Sequence, residues 1–183
     1  MHALVDWKAI LRGWLHRLFA PVWFRKLGKR PRIAGRQILY RPFMDIALGE
    51  DAMLGRNIFW QVARSASVTI GDRFSLNSGG FVVVSEGLTV GDNVAIGELV
   101  SIRDSEHKFD PDHGVRGQGF TQAAIIIEDN CWIGRGTYIG PGSHIRRGSI
   151  VAAHSVVRGD FPEGSLIAGA PAVVKKPLTG KSA

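Results

Sequence analysis

Cysteine is almost missing from the 183-residue sequence. Cys131 stands alone, which excludes an intrachain disulfide and a zinc site built on thiolates, and fits a reducing compartment. No apolar run is long enough to cross a bilayer. Arg12, Arg17, Arg25 and Lys26 interrupt every apolar stretch near the N-terminus before a secretory core could form, so a cytoplasmic location is expected. Acidic residues are scarce at one end only. Residues 1–41 hold ten Lys/Arg against one acid, Asp6, a net +9, whereas the rest holds 13 basic and 15 acidic side chains, a net −2. The basic character therefore belongs to an N-terminal appendage and not to the body, and no nucleic-acid partner is expected.

What is present points to many short strands. The chain is 45% hydrophobic, and its 23 glycines lie among Val/Ile runs, which favours tight corners between strands over a helical bundle. From Leu4 to Val22 the residues Leu4, Trp7, Leu11, Trp14, Leu15, Leu18 and Val22 recur at three- and four-residue steps, the spacing of one helical face, with Pro21 as its end or kink. Gly28 to Gly35, rich in Lys, Arg and Pro, reads as a basic connector. The expected organisation is a basic amphipathic helix and connector over 1–37, a body over 38–176, and a flexible tail over 177–183. For the helix, two uses stay open: a peripheral contact with the membrane interface, suggested by Trp7, Trp14, Trp23 and the flanking cations, or packing against the body or a neighbouring subunit.

The body repeats itself. Ile127, Ile133, Ile139, Ile145, Val151 and Val157 follow one another at six-residue steps, and a compact residue sits four positions after each of the first five: Cys131, Thr137, Ser143, Ser149, Ser155. Both classes fall on the inward side of a strand. The step reappears in Val84, Val90, Ile96, Ile102, in Ile70, Leu76, Val82, and in Leu48, Leu54, Trp60. A slip between Val82 and Val84 calls for a bulge or short loop, and the gap from Ile102 to Ile127 calls for a real excursion, the polar stretch 103–124. Each six-residue unit is one short strand plus a corner; it buries its inward row only by stacking, so the pattern predicts a parallel β-helix with capped ends.

The run from Ile125 to Lys176, with its Glu128-Asp129-Asn130-Cys131-Trp132-Ile133-Gly134 entry, its Gly148-to-Val157 coil and its Ala168-to-Ala172 closing turn, resembles the hexapeptide-repeat acyltransferases, in particular the maltose, galactoside and polysaccharide O-acetyltransferase branch. The resemblance implies an all-β, left-handed parallel β-helix carrying an N-terminal amphipathic helix and an excursion loop. It also implies association as a homotrimer, active sites between subunits, and acetyl-CoA as acyl donor with no metal. Asp104-Ser105-Glu106-His107 looks like the loop that supplies the catalytic histidine in this branch; many relatives carry a second histidine where this chain has Ser105. His107 is thus the expected general base, and Asp104 or Glu106 is expected to orient it or meet substrate.

The chemistry agrees with that assignment. Moving an acyl group from a thioester to a sugar hydroxyl needs a base that works near neutral pH, which imidazole is, and Gly-rich turns let backbone N–H groups approach a developing oxyanion. For the donor, the resemblance implies the coenzyme arm along Trp132, Gly134, Arg135 and Ala153, with Arg158, Lys175 and Lys176 toward the phosphates and Asn77 on the acceptor side. Plainer roles stand beside these: Trp132 in subunit packing, the two lysines as a solvated tail, Cys131 as inert core, and His113, His144 and His154 as surface residues. Two rival functions are a metal-dependent lyase of the γ-type carbonic anhydrase kind on the same solenoid, and a non-catalytic trimeric scaffold.

Overall fold

The structure is a computed structural model that describes residues 7–18, 24–41 and 44–178, without the side chains of residues 16–18. After the helix Trp7–Leu18 (α1), the chain winds through successive three-strand coils. The first consists of Phe24–Leu27, Arg32–Ile33 and Gln37–Leu39; the second of Met44–Leu48, Met53–Leu54 and Ile58–Val62; the third of Ser67–Ile70, Ser75–Leu76 and Phe81–Val84. The fourth, Gly87–Val90, Ala95–Ile96 and Ser101–Arg103, is followed by an antiparallel hairpin, Ser105–His107 with Phe120–Gln122. Two further coils run Ile125–Ile127, Trp132–Ile133, Tyr138–Ile139 and His144–Ile145, Ile150–Val151, Val156–Val157. The last opens with Asp160–Phe161 and Ser165–Gly169, and Ala172–Pro177 then folds back antiparallel on Ser165–Gly169.

First strands pair with first strands, second with second and third with third, giving parallel sheets of seven, eight and six strands, the eighth being the returning one. This is a left-handed parallel β-helix. The six-residue register explains it. Ile70, Val90, Ile127, Ile145 and Phe161 stack on the first sheet, Leu54, Leu76, Ile96, Ile133, Val151 and Ile167 on the second, and Trp60, Val82, Ile102, Ile139 and Val157 on the third. All are buried in one continuous core. The compact residues fill the corners, where a hydroxyl costs little because a carbonyl is at hand: Thr137 donates to Gly134 O at 2.8 Å, Ser143 to Gly140 O at 2.7 Å and Ser155 to Ala152 O at 2.8 Å. Cys131 is likewise buried, its thiol turned to backbone carbonyls and its pKa pushed up by burial.

Two expectations need correction. The body does not begin near Ile38: residues 24–37, assigned to the appendage, already form the first coil, with Phe24, Leu27 and Ile33 buried in the core. The six-residue step Leu27, Ile33, Leu39 is present there, but cations at the outward positions hide it. Some of those cations lie against acids of the next coil, Arg25 with Asp45 and Arg30 with Asp51 at 2.7 Å. Nor is the Val82/Val84 offset a bulge. Both residues belong to one strand, paired in register with Trp60 and Val62, and the strand simply runs two residues longer before its corner.

Helix α1 lies beside the second strand of the first coil. Ala9 and Gly13 are the buried positions; a Cβ at Gly13 would collide with the Pro31 carbonyl oxygen, and the Arg12 guanidinium donates to Ala34 O at 2.8 Å. Leu4, Pro21, Val22, Trp23 and the chain beyond Leu178 lie outside the described residues. Among those described, no helix is long and apolar enough to cross a membrane.

Candidate active site

The excursion after Arg103 is pinned at its root. Asp104 is fully buried, and its carboxylate accepts from the backbone N–H of Ser85 at 2.7 Å, Glu86 at 2.7 Å and Gly87 at 2.9 Å. It therefore closes the corner between the third and fourth coils and does not orient His107, correcting one expected role. Glu106 is engaged elsewhere too. The Tyr138 hydroxyl donates to it at 2.6 Å and Arg158 forms an ion pair with it. Side chains alternate along a strand, so Glu106 points to the opposite side of the hairpin from Ser105 and His107. Neither carboxylate next to His107 can reach its ring.

These contacts set the electrostatics. The hydrogen bond from Arg158, then that from Tyr138, holds the Glu106 carboxyl below its usual range. Burial, then Glu106, pushes Tyr138 up to about 12, and Glu106 raises Arg158. Arg158, expected at the donor phosphates, is thus committed to the hairpin. Its partner Tyr138 escaped the sequence reading, because the pairing joins residues 32 apart with no periodicity to announce it. His107 is exposed, with its ring 4.3 Å from that of Phe120 across the hairpin. Ser105, on the same side, places its hydroxyl 3.2 Å from that of Ser85.

A groove of about 550 Å³ runs along the corner between the second and third sheets. It gathers five of the expected residues, Asn77, Trp132, Gly134, Arg135 and Ala153, with Glu98, whose carboxylate lies 3.4 Å from the Arg135 guanidinium. Small residues bring backbone to the surface here: a Cβ at Gly134 would strike Ala153 N. Gly134 N donates to Val151 O and Ala152 N to Ile167 O, whereas the amides that follow each, those of Arg135 and Ala153, take no part in the ladder. Trp132, 57% exposed, and Ile150 add an apolar wall. Exposed donors one coil apart beside an apolar wall fit the alternating amides and methylenes of a pantetheine arm. Lys176 pairs with Leu166, another residue of that wall, on the returning strand, and Lys175 precedes it.

His107 is not in this groove. The groove follows the second sheet, the hairpin follows the third, and the third sheet separates them. Among the described residues no group of three His, Cys, Asp or Glu could hold a metal; His144 lies 2.7 Å from Glu128 and His113 lies 2.8 Å from Asp110, each at the surface.

The bacterial transferase hexapeptide family, six repeats, matches residues 124–159. That span holds the groove's Trp132, Gly134, Arg135 and Ala153. Over those residues the chain carries the repeat of that family. The chain is 35% identical over 116 residues to the putative acetyltransferase YJL218W of Saccharomyces cerevisiae, a match covering 63% of this chain and 59% of the relative. It is 28% identical over 140 residues to the putative lipopolysaccharide biosynthesis O-acetyl transferase WbbJ of Escherichia coli, covering 72% and 71%. The chain thus spans less than two thirds of the yeast relative. Among solved folds it is similar to AntD, an N-acyltransferase from Bacillus cereus in complex with dTDP and 3-hydroxybutyryl-CoA, with a TM-score of 0.75 at 19% identity over 85% of this chain and 84% of that one. At that identity the likeness speaks to the β-helix alone.

Proposed function

We propose that this hexapeptide-repeat protein is an acetyl-CoA-dependent O-acetyltransferase acting on a hydroxyl of a saccharide or glycan precursor. The observation that carries the reading is the groove, whose unladdered Arg135 and Ala153 amides and Trp132 wall suit a coenzyme arm. Relatives named acetyltransferases, one of them in lipopolysaccharide biosynthesis, favour an acetyl group and a sugar acceptor. The donor supplies a thioester-activated acyl group. His107 takes the proton from the acceptor hydroxyl, whose oxygen attacks the thioester carbonyl; the C–S bond then breaks and coenzyme A leaves as the thiol, taking that proton from the exposed imidazole. Lys175 and Lys176 lie where donor phosphates would emerge, and Asn77 sits at the groove's other end as an acceptor contact.

The separation of His107 from the groove within one chain implies that a second copy completes the site, and the outward rows favour a trimer. On the third sheet that row reads Ile38, Phe59, Phe81, Ser101, Tyr138, Val156, and on the second Met53, Ser75, Ala95, Trp132, Ile150, Leu166. The first sheet presents Thr69, Thr89, Ile126, His144 and Asp160, a more polar row. Two apolar faces and one polar face suit a prism that meets two neighbours around a threefold axis.

Acetyl-CoA should raise the thermal stability of the purified protein, since a ligand that binds the native state stabilises it. It should also be consumed in the presence of a sugar or lipid-linked glycan from a screened panel. No shift with acetyl-CoA would move the reading to a scaffold, and turnover by His107→Ala at the wild-type rate would remove the base.

A further inference from the structure

Helix α1 is turned the opposite way from an ordinary surface helix. Its small residues Ala9 and Gly13 meet the first coil, and its large apolar ones do not: Trp7 is 76% exposed, Leu11 59% and Trp14 58%, with Ile10 and Leu15 also exposed. At about 100° per residue, Trp7, Leu11 and Trp14 fall on the side diametrically opposite Ala9 and Gly13. Packing of the stripe on the body is therefore not what α1 does, which leaves a neighbouring subunit or a membrane among the uses open in the sequence. Ile10 and Trp14 also line a hollow of about 600 Å³ with Arg30, Pro31, Arg32 and Asp51, two cations against one acid.

Charge identifies the occupant. Residues 7–41 contain ten Lys/Arg and no acid. Asp45, Glu50 and Asp51 of the second coil engage Arg25, Lys29 and Arg30, and Asp51 also feels Arg32, but Lys26 and Arg36 are exposed and form no ion pair among the described residues. Arg12 bonds the carbonyls of Lys8 and Ala34 and pairs with no acid among the described residues. A second copy docking stripe to stripe would bring these like charges together, which is unfavourable. An anionic lipid surface accepts both features at once, the tryptophans and leucines entering the headgroup region while the cations stay with the phosphates. We propose that α1 and the first coil form a docking surface for anionic membrane, which would hold the enzyme where lipid-linked glycans are made. The docking claim does not depend on the acetyltransferase reading.

The test is sedimentation of the full chain with vesicles of phosphatidylcholine alone or with about 30% phosphatidylglycerol at low salt. The wild type should pellet with the anionic vesicles only and be released by high salt. The double variant Trp7→Ser/Leu11→Ser, altered at the two most exposed positions of the stripe, outside the hollow against the coil, should lose about tenfold in bound fraction. Its response to acetyl-CoA should be unchanged, which separates this outcome from failure of the proposed activity. The idea is overturned if the wild type stays in the supernatant, if the double variant pellets equally, or if the double variant's oligomer is smaller than the wild type's, since the stripe would then be covered by another copy.

Discussion

The coils between Ile125 and Val157 and the hairpin that precedes them are adjacent in sequence but held by different forces. In the coils every inward side chain is buried, and the corner hydroxyls of Thr137, Ser143 and Ser155 each find a carbonyl within the same turn, while that of Ser149 donates to Pro162 O further along the chain. The hairpin has little core of its own: Phe120–Gln122 is exposed throughout. It is fixed at its base by Asp104 on three backbone amides and by Glu106 between Tyr138 and Arg158. Burial places the groove, whereas polar anchors place His107. Substitutions in the two regions should therefore separate stability from activity.

The largest effect expected is on activity alone. His107→Ala should lower turnover by about 10²- to 10⁴-fold, the usual range for loss of a general base, while leaving thermal unfolding within about 1 °C of wild type because the ring packs only against exposed Phe120. Steady-state kinetics beside a melting curve measures both. A large drop in stability would show that the hairpin is part of the core and erase the contrast. Conversely, Ile139→Ala removes a fully buried side chain from the third inward row and should cost about 2–5 kcal/mol in chemical denaturation, with coenzyme affinity retained in the fraction that folds. Loss of affinity without loss of stability would contradict the division.

Asp104 tests the boundary between the regions. Asp104→Ala leaves the Ser85, Glu86 and Gly87 amides without their acceptor in a buried corner, a cost of about 2–3 kcal/mol. Turnover should fall as well, because the root of the hairpin loosens. Denaturation and kinetics on the same preparation decide the matter; if turnover falls with stability unchanged, Asp104 belongs to the chemistry after all.

The same contrast governs what could be read from sequence. The register from Ile127 to Val157 is inward without exception, because one residue step sets both spacing and burial. At the N-terminal end the same step runs through Leu27, Ile33 and Leu39, yet Arg25, Lys26, Lys29, Arg30, Arg32 and Arg36 crowd the outward positions, and their charge gives a strand-forming stretch the look of an appendage. In the hairpin, His107 could be singled out by its local motif. Its neighbours' partners could not. Asp104 reaches back to residues 85–87 and Glu106 forward to 138 and 158, and contacts across such distances leave no period. Arg158 illustrates the cost: an exposed cation near the end of the repeat suited a phosphate by position, but its nearest counter-charge was a carboxylate on the hairpin.

The smallest effect is the most selective probe of that latch. Glu106 has its pKa lowered from 4.5 by Arg158 and Tyr138, so it binds a proton less readily folded than unfolded. Its contribution to stability is complete above the unfolded value, near 4.5, and is lost as pH falls from there through the folded pKa. The pair is a third to a half exposed, so solvent screening limits it to about 0.5 kcal/mol. The stability difference between wild type and Glu106→Gln should hold steady above about pH 5 and shrink below about pH 4.5; many other carboxylates titrate there, but the difference cancels them. Turnover of Glu106→Gln should fall by a few-fold through kcat, with KM for acetyl-CoA unchanged, since the groove lies at another corner. A change in KM instead would mean that Glu106 and Arg158 touch substrate, and the latch would have to be redrawn as part of the binding site.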